Sequence, residues 1–180
     1  MAKISAFKRR GFTLVEEAVV IAIIAILAIP VATFMSQIAR NQVYSAEDIK
    51  GQYAMNVIMQ DIEQRIRRAD DGSIKITTGN PYTINFTYVD ADTNGSKKPT
   101  LYCQYELDNA GTANAIFKRG IGTSSAPALS VFPAGLEAGV IQNFSATPPA
   151  ASAPYTITIA LTSSTGVRLQ KSIYLTNYSQ

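Results

Sequence analysis

The sequence predicts an α+β protein in which a long N-terminal helix, apolar in its first half and amphipathic in its second, packs on a C-terminal antiparallel β-sheet. Ala18 to Met35 is an apolar run broken only by Pro30 and Thr33. Between Ser36 and Asp71 there is no proline, and Ile58, Ile62 and Ile66 recur every four residues, the spacing of one helix face. After Gly72 the repeat changes to two, as in strands with one buried side.

The apolar run sets the first element. Its 18 residues would rise about 27 Å as a helix, close to the ~30 Å hydrocarbon core of a bilayer. Lys3, Lys8, Arg9 and Arg10 all precede it, so its N-terminal end is expected in the cytoplasm and the remainder outside. Without those four residues, 12 basic residues face 13 acidic ones. No basic patch remains to argue for nucleic acid. There is no histidine and one cysteine, Cys103. This composition excludes an intrachain disulfide, a Cys/His zinc site and a Ser-His-Asp or Cys-His catalytic group. With no motif for a carboxylate-based reaction either, neither an enzyme nor a cofactor is expected.

In a secretory signal peptide the cleavage site follows the apolar stretch. Here Gly11 stands between the basic residues and that stretch, so a cut at Gly11 would leave the apolar helix on the mature chain. A plain membrane anchor accounts for the length and orientation but not for Glu16 and Glu17, because a carboxylate in such a segment costs a few kcal/mol.

The stretch "RRGFTLVEEAVVIAIIAILA", residues 9 to 28, resembles the N-terminal signature of type IV prepilins and type II secretion pseudopilins. Gly11 matches the last leader residue, Phe12 the first mature residue, and Glu16 the glutamate five places into the mature chain. The resemblance implies cleavage after Gly11 by a membrane prepilin peptidase, N-methylation of Phe12, and assembly with other pilin or pseudopilin subunits from the inner membrane. It also implies that Glu16 pairs with the new amine of an adjacent subunit, fixing axial register. Glu17 stands where the family usually has an apolar residue, and Pro30 lies about three residues earlier than the helix proline common in major pilins. Glu17 has two readings: a carboxylate at headgroup level, or a second pairing site for a specific neighbour. The expected organisation is a leader over 1–11, a transmembrane and assembly half over 12–35, an amphipathic half over 36–72, and a β-rich domain over 73–180.

In the amphipathic half, Met55, Met59 and Ala69 flank the isoleucine stripe. Asp61–Arg65 and Glu63–Arg67 are acid-before-base pairs four apart, the favoured order. Gly72 is expected to cap the helix, Pro30 to kink it, and Gly51 to mark a second weak point. Strands are expected over 82–89, 100–107, 155–162 and 167–175, with Tyr82, Ile84, Phe86 and Tyr88 on one face of the first. Segments 123–128 and 146–154 read as loops. Asp90, Asp92, Asn94 and Gly95 match the start of a calcium-binding loop, but the twelfth position is Leu101 and not Glu. A hairpin turn is the plainer reading, with calcium the alternative. Cys103 alternates with apolar residues and is expected to be a buried thiol. The tyrosines are expected mainly in the core.

The C-terminal half is similar, more loosely, to J-type minor pseudopilins and W-type minor pilins. The order of Tyr105, Arg119, Gly139, Val140, Phe144 and Asn177 carries this likeness, and it implies further strands around Arg119 and Phe144. The chain also lacks the paired cysteines that bound the C-terminal loop of many major pilins. Together these lead to the expectation of a non-catalytic minor pilin or pseudopilin, acting in assembly initiation or at a tip. The alternative is a membrane-anchored adhesion or binding protein exported through a pilin-like signal, with its specific residues in the 123–130 and 146–154 loops.

Overall fold

The structure, a computed structural model, describes residues 13–70, 72–89, 99–149 and 155–176. It divides into two compact units, Met1–Val43 and Tyr44–Gln180. One α-helix, α1 (Leu14–Ile66), precedes eight strands: β1 (Lys75–Thr77), β2 (Tyr82–Val89), β3 (Thr100–Asp108), β4 (Ile116–Gly122), β5 (Leu129–Val131), β6 (Ile141–Thr147), β7 (Thr156–Ser163) and β8 (Arg168–Tyr174). The α+β layout of one long helix and antiparallel sheets is the expected one.

In the first unit the helix is exposed throughout its described length. Its most apolar 18-residue window has a mean hydropathy of 2.8, so by length and composition it could cross a membrane. Pro30 lies inside α1 without ending it. The polar side chains nearby bond to the helix backbone itself: Thr33 Oγ1 donates to Pro30 O at 2.8 Å and Ser36 Oγ to Thr33 O at 2.8 Å. Such self-satisfied hydroxyls lower the cost of placing them in hydrocarbon.

In the second unit, Gly51, Ala54, Met55, Ile58, Met59, Ile62 and Ile66 form the buried stripe of α1. Their spacings of three and four trace a single face. The core adds Ile84, Phe86, Tyr88, Tyr105, Leu107 and Phe117 from one sheet and Phe144, Ile157, Ile159, Leu161 and Ile173 from the other. Each large apolar side chain buried here contributes about 1.5–3 kcal/mol.

The sheets have the orders β1-β2-β3-β4-β5 and β6-β7-β8, with every pairing antiparallel. Tyr82 joins them. Its hydroxyl accepts from Ala146 N at 2.7 Å and donates to Ala146 O at 3.0 Å, so it satisfies both backbone groups of a β6 edge residue. Phe144 of β6 packs edge-on against Tyr82 and Phe117, with ring centroids 5.4 and 5.1 Å apart.

Several expectations are revised. The helix ends at Ile66, not near 72. Its last turn tightens, with Arg68 N bonding to Arg65 O and Ala69 N to Ile66 O. The chain then joins the sheet through the Ala69–Tyr88 bridge and Asp70 N to Thr87 O at 2.8 Å. Thr176 takes the capping role instead, its amide and hydroxyl both donating to Arg67 O. Gly72, at φ +67°, is a turn residue beyond the helix.

Gly51 is a point of close approach and not a weak point. A β-carbon there would lie 3.0 Å from Ser163 Cβ. Segment 123–130, read as loop, ends in the start of β5. Among the described tyrosines, Tyr88 and Tyr105 are fully buried, while Tyr44, Tyr53 and Tyr174 are exposed. The calcium-like 90–95 turn and Asn177 lie outside the described residues.

Candidate functional site

The first turn of α1 is the candidate site. Thr13 stands just before the helix with its side chain and backbone turned to Glu16. Thr13 N donates to Glu16 Oε2 at 2.9 Å, Thr13 Oγ1 donates to the same oxygen at 3.0 Å, and Glu16 N donates to Thr13 Oγ1 at 3.4 Å. This is a reciprocal T-x-x-E capping box, which satisfies amides that a helix start leaves open. The spacing was present in the sequence as "TLVE", residues 13–16.

The box has a chemical consequence. Both bonds from Thr13 fall on Oε2, so Glu16 is held in one orientation while Oε1 has no partner among the described residues. Successive helical side chains diverge by about 100°, so Glu17 points elsewhere. Its amide bonds to Thr13 O at 3.2 Å, and its carboxylate has no hydrogen bond among the described residues. Gly11 and Phe12, the expected cleavage and methylation positions, lie outside the described residues.

A second cluster lies in the globular unit, where sequence reasoning had noted only the helical pair. Asp61 Oδ1 accepts from Arg65 Nε at 3.2 Å and Arg119 Nη1 at 2.9 Å, and Oδ2 accepts from Tyr105 OH at 2.5 Å. Arg65 also donates to Tyr88 OH at 2.6 Å, and the Arg119 guanidinium lies 3.9 Å from the Phe132 ring centroid. The cluster ties α1 to β2, β3 and β4.

Burial raises the Tyr105 hydroxyl well above its ordinary range. Burial opposes the charge of Arg65, but Asp61 and the surrounding tyrosines outweigh it and hold the guanidinium charged. Cys103 is buried as expected, and loss of solvation pushes its thiol up to about 12. With its charges already bonded to one another, the cluster reads as a helix-to-sheet fastening and not a reaction centre. Only the contact of distant residues reveals it, so no local signal in the sequence could have.

Comparison with known proteins adds one finding. Residues 6–32 match the family model of the prokaryotic N-terminal methylation motif, which is characteristic of type IV prepilin-like proteins. The N-terminal stretch is therefore like that of type IV pilins and pseudopilins, and the motif implies processing by a prepilin peptidase and assembly with other pilin subunits. The motif and the apolar helix together fit anchoring in the inner membrane. Neither the curated proteins nor the solved structures contain a match to the chain.

Proposed function

We propose that this chain is a minor subunit of a type IV pilus or a type II secretion pseudopilus, a non-catalytic structural protein acting in assembly initiation or at the tip. One observation carries the reading: the methylation motif at 6–32 runs into the exposed apolar half of α1, whose first turn holds an oriented carboxylate. The lack of a second cysteine supports a minor over a major subunit.

In this account a prepilin peptidase cuts between Gly11 and Phe12, and the new amine of Phe12 is methylated. The globular unit stands outside the cytoplasm. Within a filament, the Phe12 amine of one subunit meets Glu16 Oε1 of the next. Pairing removes two lone charges from an apolar surrounding, where each alone is costly, and it sets the axial register. Thr13 assists by holding Glu16. Glu17 faces a different direction and does not share this pairing.

The test is co-expression with a prepilin peptidase and the partner subunits of one pilus or secretion system. Glu16→Ala is expected to be processed normally yet fail to co-purify with those subunits. Normal co-assembly of the variant would overturn the pairing role.

A further inference from the structure

The sheet face turned away from α1 carries a polar recess. Register places Lys75, Asn85, Gln104 and Gly120 opposite one another across β1 to β4, and Thr87, Tyr102 and Gly122 in the next row. At both glycines β4 contributes no side chain, and the 124–128 segment folds back over that bare strip. A β-carbon on Gly120 would lie 3.0 Å from the carbonyl oxygens of Pro127 and Ala128. Between this arch and the β1–β2 side lies a recess of about 230 Å³, walled by Lys75, Asn85, Tyr102, Gln104 and Ser125.

Ser73 and Thr87, at one end of the recess, are already bonded to Asp70, but other polar groups in it are unused. Asn85 Oδ1 is buried with no partner among the described residues, and such an orphan costs about 1–3 kcal/mol until something bonds to it. The Gln104 amide nitrogen donates to Glu106 at 3.1 Å, leaving its carbonyl oxygen. Tyr102 and Ser125 offer hydroxyls, and Tyr102 a ring face. Among the described residues the wall carries one charged side chain, Lys75, beside these polar groups. These features match a small ligand with many hydroxyl donors and acceptors and a C–H face to lay on an aromatic ring. The volume falls below the range for drug-sized ligands and suits a single ring.

We propose that this recess binds one ring of a saccharide, with the Asn85 and Gln104 amides and the Ser125 hydroxyl bonding its hydroxyls and Tyr102 packing on its face. The inference stands apart from subunit assembly, so its failure would leave processing and co-purification untouched.

The test uses the full chain in phospholipid nanodiscs, which carry no sugar headgroups, and saturation-transfer NMR. The probes are the methyl glycosides of glucose, galactose, N-acetylglucosamine and glucuronate. At least one is expected to receive saturation, and Tyr102→Ala and Gln104→Ala are each expected to weaken binding about tenfold, the effect of removing one contact in a built site. If either variant lowers the unfolding midpoint, Ser125→Ala on the exposed arch replaces it, with the same weakening expected. Absence of transfer from all four probes, or transfer unchanged in variants that fold normally, would overturn the proposal.

Discussion

Arg119 reaches from β4 to place Nη1 2.9 Å from Oδ1 of Asp61 on α1. That oxygen also receives Arg65 Nε, and the other receives Tyr105 OH. Helix and sheet therefore meet at one carboxylate that compensates two partly buried guanidinium groups.

Removing that charge leaves the cations without compensation. Asp61→Asn is expected to lower stability by on the order of 3 kcal/mol, as when one partner of a buried pair is lost. Arg119→Met in the same chain should recover part of this by removing one of the stranded cations. Chemical unfolding of the full chain in nanodiscs checks both. A loss no larger in Asp61→Asn than in an exposed control would contradict the fastening role.

Thr13 holds Glu16 through two bonds to one oxygen. Thr13→Val keeps the shape but removes the hydroxyl of the capping box. The expected result is normal leader removal with reduced co-purification of partner subunits, milder than for Glu16→Ala. The lost cap is worth about 1 kcal/mol, which corresponds to a factor of about 5 in yield at equilibrium. Quantitative immunoblotting of the co-purified fraction reads it.

Gly51 separates two readings by sign. A weak point in the helix would gain about 0.5–1 kcal/mol from Gly→Ala. Close approach to Ser163, with 3.0 Å left for a β-carbon, predicts no such gain. It further predicts that Gly51→Val costs about 1–3 kcal/mol by overpacking. Thermal unfolding of the two variants decides between them.

Glu63 links α1 to β8. It accepts from Lys171, and from Arg67 Nη2 at 2.5 Å. These bonds, Lys171 first, hold its carboxyl below the ordinary range. A depressed folded value means that the stabilisation is fully present above the unfolded value of about 4.3. It is lost as pH falls through the folded value. Glu63→Gln should thus cost up to about 1 kcal/mol at neutral pH, the scale of a solvent-accessible pair. Wild type and variant should converge in acid. Denaturant titrations at several pH values measure the gap, and a gap that widens in acid would contradict the assignment.

The parts of the fold legible in the sequence are those with local periodicity. The four-residue isoleucine spacing identified the buried stripe of α1, and two-residue alternation located β2, β3 and β7 nearly to their ends; β8 was placed on a less regular pattern. β1 and β5 span only three residues each, too short for a period to register. β4 carries Gly120 and Gly122 on one face, which erases its alternation. Gly51 misled because helix propensity speaks of the isolated chain, whereas the packing of α1 against Ser163 is tertiary. The same holds at Asp61: the i,i+4 partner Arg65 was legible, but Arg119, Tyr105 and Tyr88 arrive from strands far along the chain. In the first turn, the carboxylate drew attention as an assembly partner, although the capping spacing back to Thr13 was equally readable.

The central claim is that the chain is a prepilin whose leader ends at Gly11. Intact-mass measurement of the protein co-expressed with a prepilin peptidase tests it most directly. The account predicts loss of the Met1–Gly11 leader and a gain of one methyl group on Phe12. A chain that keeps its leader under those conditions would contradict it.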